Sequence, residues 1–465
     1  QFLSYVRDGD LYYRRINEDL EVEQRVTTDA TATLSNGAAD FLAAEEMHRF
    51  KGHWWSADET LLFFSKVDES RVTVSNRLEV DANGSRSIAQ RYPYAGAVNP
   101  SVSLWQYSIA TGELLELWRD SEEQAYLARV DPCTDGLYIQ CQDRLQQTLT
   151  VLRKGYAEKK WQTYHVERST TWINLTDDFT ELQGGGHAFT SESSGRRQAI
   201  LLNRPNAPER LACPTHLNQL LGADTEKIYA CGWQDTPLEN HLFTIPLDGS
   251  SFTQITEDAG WHDFVLNPRQ CLFADRFTND LTPLKVSLNS AVAKRVEHTL
   301  FEEQINANHP YQPFLANHVP SEFGSVLTSE EENLYFRLTP PLSKTGKHPV
   351  IVYVYGGPGA QKVRKEWSPL LQQLFAHNGF GVLELDNRGS SNRGRGFEAP
   401  IYRAMGSVEV EDQLRGVELL KSVPWADTNN IGIFGHSYGG YMTLMSLCSA
   451  PDVFKAGAAV APVSD

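Results

Sequence analysis

The chain has 465 residues, enough for two or more domains, and its 41% hydrophobic and 22% charged content is that of an ordinary globular protein. A formal net charge of −17 argues against nucleic acid as a partner. No run of 18 apolar residues is present, so no membrane-spanning segment is expected; the six cysteines show neither C-x-x-C nor metal-ligand spacing, and no metal or other cofactor is expected.

Residues 1 to 315 read as an all-β region. The sequence opens on Gln1-Phe2-Leu3-Ser4-Tyr5-Val6, a strand pattern without an initiator Met, and the chain is expected to be a piece of a longer one. Short strands follow between turn signals: 11–13 after Asp8-Gly9, 61–64 before Asp68-Glu69-Ser70, 102–107 before Thr111-Gly112, 137–139 after Asp135-Gly136, then 228–230 and 241–245. A loose period recurs at Trp55-Ser56-Ala57-Asp58, at residues 176–178 and at residues 266–269. Propeller blades or a pair of β-sandwiches would both explain this rhythm. Cys133 and Cys141 could clip a hairpin or remain buried thiols. One stretch breaks the pattern. Residues 38–50 are good helix formers after the turn Asn36-Gly37, and they carry the adjacent carboxylates Glu45 and Glu46. Two acids side by side can capture an ammonium group, which offers three donors. On the residues alone, a solvated helix face is the simpler reading.

Residues 316 to 465 read as an α/β region. The apolar run 350–355 suits a strand buried on both faces and ends at Gly356-Gly357-Pro358-Gly359. A second strand, 380–385, ends at Asp386-Asn387-Arg388-Gly389. A helix begins at Ser407, with Val410, Leu414, Val417 and Leu420 on one stripe, and with Glu409, Glu411 and Asp412 near its positive dipole end. Strands at 431–434 and 456–460 complete an alternation that predicts a parallel sheet, with ligands at the carboxyl ends of its strands.

The chemistry centres on Gly435-His436-Ser437-Tyr438-Gly439, a G-x-S-x-G pattern between the strand and a helical run from Gly440. Strand, sharp turn and helix is the context of a nucleophile elbow, which exposes the Ser437 hydroxyl above the sheet. The Tyr438 N–H is placed to hold an oxyanion, and Tyr355, at a strand end, can add its phenol or be a core tyrosine. A serine nucleophile needs a base and an orienting acid, ordinarily later in the chain. No histidine follows Ser437, His436 is expected to point away from it, and Asp452 and Asp465 are the acids downstream. The triad's acid and base are therefore expected outside this sequence.

These residues resemble the dipeptidyl peptidase IV subfamily of the prolyl oligopeptidase family, in its bacterial form. The resemblance runs along nearly the whole chain, through Ala44-Glu45-Glu46-Met47, Trp54-Trp55-Ser56, Tyr92-Pro93-Tyr94-Ala95-Gly96-Ala97-Val98-Asn99-Pro100, Val354-Tyr355-Gly356-Gly357-Pro358, Asp386-Asn387-Arg388-Gly389-Ser390, the serine motif, and Ala461-Pro462-Val463-Ser464. It implies an eight-bladed propeller over 1–315, incomplete here, and an α/β-hydrolase domain over 316–465, also incomplete. It implies Ser437 as nucleophile, Tyr355 and the Tyr438 amide as oxyanion donors, and Glu45 with Glu46 as the anchor for a peptide's amino terminus. Val463 would line an apolar pocket for a penultimate proline or alanine. The implied activity is release of N-terminal dipeptides from peptides with a free N-terminus. The resemblance is also compatible with a homodimer and with export to the periplasm or outside. Two alternatives stand beside it: an endopeptidase or acyl-peptide hydrolase of the same family, and a non-catalytic propeller–hydrolase that serves as an interaction protein.

Overall fold

The computed structural model describes residues 1–16, 23–120, 125–203, 209–269, 271–367 and 370–464. Two compact units are present, Gln1–Asp177 and Asp178–Asp465. The division runs through the antiparallel sheets, whereas the change of sheet type falls later, between Glu302 and Glu322.

The first unit is built of antiparallel sheets. Phe2–Arg7, Asp10–Arg15 and Gln24–Arg25 form one. Leu61–Asp68 is the centre of the next, flanked by Leu34–Asn36, His53–Trp55 and Ser101–Ser108. A four-stranded meander runs from Ala125–Cys133 to Gln162–Arg168. Leu62, Phe63 and Phe64 are fully buried, and they explain the stacking. Side chains alternate across a strand. Leu62 and Phe64 pack with Leu11, Tyr13 and Val26 on one side, while Phe63 packs with Trp54, Leu104 and Ile139 on the other. The sheet is thus covered on both faces. Each sheet of a sandwich leaves its outer face to solvent, so this arrangement is that of propeller blades.

The stretch 38–50 makes a much shorter helix than its propensity predicts, Phe41–Glu45. Asp40 caps it by accepting from the Ala43 N–H at 3.1 Å. His48 sits at φ 53°, in the left-handed region, and the Arg49 N–H bonds back to the Ala43 carbonyl at 2.8 Å. That closure ends the helix. None of the six cysteines forms a disulfide, so Cys133 and Cys141 are buried thiols and not a clip.

In the second unit the same alternation recurs. Ile228, Ala230 and Ile245 face one cluster, and Tyr229 and Leu242 face another. The chain then enters a six-stranded mixed sheet, in the order Glu322–Leu327, Asn333–Thr339, Gly381–Leu385, His348–Tyr353, Ala426–His436, Phe454–Val460. The last four are parallel, as the alternation predicts; the first two are an antiparallel addition that it does not. The helix Val408–Leu420 buries Val410, Val417 and Leu420 against this sheet, with Leu414 partly buried beside them.

Candidate active site

The strand Ala426–His436 and the helix Tyr438–Ser449 meet at a single residue, Ser437. Its backbone lies at φ 58°, ψ −119°, a conformation that a non-glycine residue keeps only when its surroundings over-determine it. Three backbone bonds do so. Ser437 N–H donates to the Val460 carbonyl at 2.9 Å, and the Ser437 carbonyl accepts from Tyr441 at 3.1 Å and from Val463 at 3.3 Å. The flanking glycines follow from space. A Cβ on Gly435 would lie 2.1 Å from the Gly439 carbonyl oxygen, and one on Gly439 would lie 2.2 Å from that of Val354. His436 is exposed, turned away from this packing. The Ser437 hydroxyl has no hydrogen-bond partner among the described residues.

Tyr438 opens the helix, so its N–H is one of the first four that lack an intrahelical acceptor. Its ring lies 6.2 Å from that of Tyr355 and is pressed onto Gly357, where a Cβ would come within 2.6 Å of the Tyr438 Cγ. Tyr355 is half-buried, and its hydroxyl has no partner among the described residues. The loop after it is firmly tied down. The Gly356 carbonyl accepts from the Asn387 amide at 3.0 Å, and the Lys362 and Val363 N–H groups donate to the two oxygens of Asp386, each at 2.9 Å. Farther on, Gln361 donates to the Pro237 carbonyl at 2.7 Å, and Lys365 pairs with Glu239 at 2.5 Å. Hydrogen bonding from His241, with that Lys365 pairing, holds Glu239 down to about 2.

Beneath the elbow lies a polar face of the helix Val408–Leu420. Glu409, Asp412 and Gln413 are all fully buried. Glu409 accepts from the Tyr438 hydroxyl at 2.7 Å and from the N–H groups of Gly406 and Ser407 at 2.9 and 3.0 Å. Burial, then that carboxylate, push the Tyr438 phenol well above its ordinary range. Asp412 takes the Arg388 guanidinium in a two-point contact at 2.8 and 3.0 Å. Gln413 donates to the Asn387 side chain at 2.9 Å, and so reaches the Gly356 loop through it.

Glu45 and Glu46 belong to the first unit. Glu45 is the last residue of its helix and Glu46 the cap, and both carboxylates are exposed with no partner among the described residues. Successive helical residues diverge by about 100°, which a helix end relaxes. The back of the helix packs Ala43 and Met47 on Ala128. Arg49, buried over Trp54, faces the capping Asp40 at 3.6 Å. From the 92–100 motif, Tyr92 meets Phe41 with ring centres 5.2 Å apart.

A sequence model described as "Dipeptidyl peptidase IV (DPP IV) N-terminal region" matches residues 1–284, and one described as "Prolyl oligopeptidase family" matches residues 367–465. The chain belongs to the dipeptidyl peptidase IV branch of the prolyl oligopeptidase family. It is 26% identical over 508 residues to the fungal "Probable dipeptidyl-aminopeptidase B" of Arthroderma otae, covering 99% of this chain and 54% of that protein. It is 25% identical over 560 residues to human dipeptidyl peptidase 8, covering 100% and 62%. The crystal structure of Porphyromonas gingivalis dipeptidyl peptidase 4 matches with a TM-score of 0.90 at 26% identity, over 100% of this chain and 67% of that one. The chain thus spans little more than half the length of the curated relatives it matches.

In this dipeptidyl peptidase IV-type chain, the antiparallel sheets are the propeller region and the mixed sheet is the α/β-hydrolase region. Ser437, Tyr438, Tyr355 and Val463 come together at the carboxyl ends of the parallel strands. Val463 touches Ser437 through its backbone, and its side chain is exposed. Asp452 is exposed, and Asp465 lies outside the described residues. No helix among the described residues is long and apolar enough to cross a membrane. Glu409, Asp412 and Gln413 do not stand out in the sequence as neighbours of the elbow. One signal was available: 409, 412, 413 and 416 run at helical spacing beside the apolar stripe, so its first acids border the buried face.

Proposed function

We propose that this chain is the larger part of a serine exopeptidase that releases dipeptides from the free N-terminus of peptides, preferring proline or alanine as the second residue. Ser437, its proton passing to a general base, attacks the carbonyl of that second residue; the C–N bond breaks, the rest of the peptide leaves as the protonated amine, and water hydrolyses the acyl-enzyme to free the dipeptide. The Tyr438 N–H and the Tyr355 phenol hold the tetrahedral oxyanion. Glu45 and Glu46 hold the peptide's ammonium, while Val463 lines the pocket for the second residue. The observation that carries this reading is the Glu45–Glu46 pair, two adjacent exposed carboxylates at a helix end with no partner of their own, in a chain that also has the Ser437 elbow. The names of the relatives support it.

The test uses the complete protein and two substrates, Gly-Pro-amide and its N-acetylated form. The free dipeptide amide should be cleaved and the acetylated one should be poor. Equal cleavage of both would remove the ammonium anchor and favour an endopeptidase or acyl-peptide hydrolase. No reaction with either, and no labelling of Ser437 by a fluorophosphonate, would favour the non-catalytic reading.

A further inference from the structure

We propose that Glu409 is a positioning residue for the oxyanion hole, acting through the hydroxyl of Tyr438. This rests on Tyr355 and the Tyr438 amide being the oxyanion donors. One residue, Tyr438, reaches both donors. The Tyr438 backbone carries one of them. Its ring lies on Gly357, two residues past Tyr355, and 6.2 Å from the Tyr355 ring. The ring's angle therefore sets how closely the Tyr355 loop approaches the elbow. Tyr441 packs edge-on against the same ring with centroids 5.4 Å apart, and the polar tether that fixes the ring's angle is at its far end. The Tyr438 hydroxyl donates to a fully buried carboxylate at 2.7 Å.

That carboxylate is itself fixed. The Gly406 and Ser407 N–H groups aim at its two oxygens, and the Tyr441 hydroxyl holds the same turn through the Met405 carbonyl at 3.1 Å. The turn sits tightly on the elbow helix, since a Cβ on Gly406 would come within 2.4 Å of the Tyr441 hydroxyl. One helical turn along, Gln413 holds the Gly356 carbonyl through Asn387. Glu409 and Gln413 are four residues apart on one face. The helix thus fixes the start of the Tyr355 loop from two sides, and only the Glu409 route passes through the residue after the nucleophile.

Glu409 also serves its own helix by accepting from Gly406 and Ser407, so its removal alone cannot separate positioning from capping. Tyr438→Phe can, because it deletes one oxygen and leaves the cap intact. In the complete protein, kcat and KM are measured for Tyr438→Phe, Glu409→Gln, Tyr355→Phe and the two doubles that include Tyr355→Phe, with melting temperature followed alongside. Tyr438→Phe should lower kcat about 10-fold with KM within about twofold, the pattern of an interaction realised in the transition state. In the Tyr355→Phe background it should cost less than about twofold, because the donor it positions is gone. Glu409→Gln should show the same dependence on Tyr355 and serves if Tyr438→Phe does not fold. The same cycle is run on the rate of Ser437 labelling by a fluorophosphonate, which needs the oxyanion hole but no peptide. If dipeptide amides are not cleaved, the exopeptidase reading fails while labelling still decides this one. Equal factors in both backgrounds, or a lowered melting temperature with unchanged kcat and labelling rate, would overturn it.

Discussion

Arg388 and Asp412 form a buried two-point pair: the guanidinium Nη2 and Nε meet the two carboxylate oxygens at 2.8 and 3.0 Å, and the Arg388 N–H adds a third contact at 2.8 Å. Breaking such a pair from one side leaves a buried charge without its partner, which costs about 3–5 kcal/mol. Asp412→Ala should therefore lower unfolding stability by that amount in urea titration. A loss below about 1 kcal/mol would mean that Glu411 and Glu330, which also face Arg388 at 3.5 and 3.3 Å, replace it.

Gly439→Ala tests the elbow. The added methyl would meet the Val354 carbonyl oxygen at 2.2 Å, and backbone cannot swing aside as a side chain can. Forcing a methyl into such a site costs typically about 1–3 kcal/mol or more. Labelling of Ser437 by a fluorophosphonate should be lost or strongly slowed. Labelling at the wild-type rate would show that the turn has room.

Tyr355→Phe tests the second oxyanion donor. Its hydroxyl has no partner to leave stranded, so the substitution should be nearly silent in stability. In the complete protein kcat should fall by roughly 10²- to 10³-fold, the loss typical of one oxyanion-hole donor. Unchanged turnover would remove Tyr355 from the mechanism.

Glu45→Ala and Glu46→Ala test the ammonium anchor. Each charge-assisted hydrogen bond is worth about 1.5–3 kcal/mol, and about 1.4 kcal/mol is tenfold. Each substitution should cost on the order of 10- to 100-fold in kcat/KM for free dipeptide amides and leave fluorophosphonate labelling intact. The acetylated substrate has no ammonium to lose and should change little. A parallel loss on both substrates would point to damage to the fold instead.

Glu239 gives a pH dependence. His241 and Lys365 hold its carboxylate at about 2, below the ordinary 4.5, so it contributes stability that is present in full above about 4.5 and is lost as pH falls toward 2. Denaturant titrations of wild type and Glu239→Gln at pH 6, 4 and 3 should show a gap that narrows with falling pH. A gap of constant size would show that the carboxylate's charge contributes nothing.

The sequence by itself determined the elements whose requirements are local. The elbow was legible because Gly435 and Gly439 are four residues apart, and a Cβ on the first would strike the backbone of the second. The stripe 410, 414, 417, 420 was legible because one face of one helix carries it. Partners far along the chain were not legible. Glu409 and Asp412 look like ordinary acids at a helix start, yet they are fully buried, because Tyr438 comes 29 residues later and Arg388 comes 24 residues earlier. The same holds for the stretch 38–50. Its propensity favours a long helix, but the chain turns at His48 and buries Arg49 over Trp54 beside Asp40. That early stop leaves Glu45 and Glu46 at a helix end. Propensity amounts to tenths of a kcal/mol per residue, and burying one side chain outweighs several such steps, so tertiary packing and not local sequence decided where that helix stops.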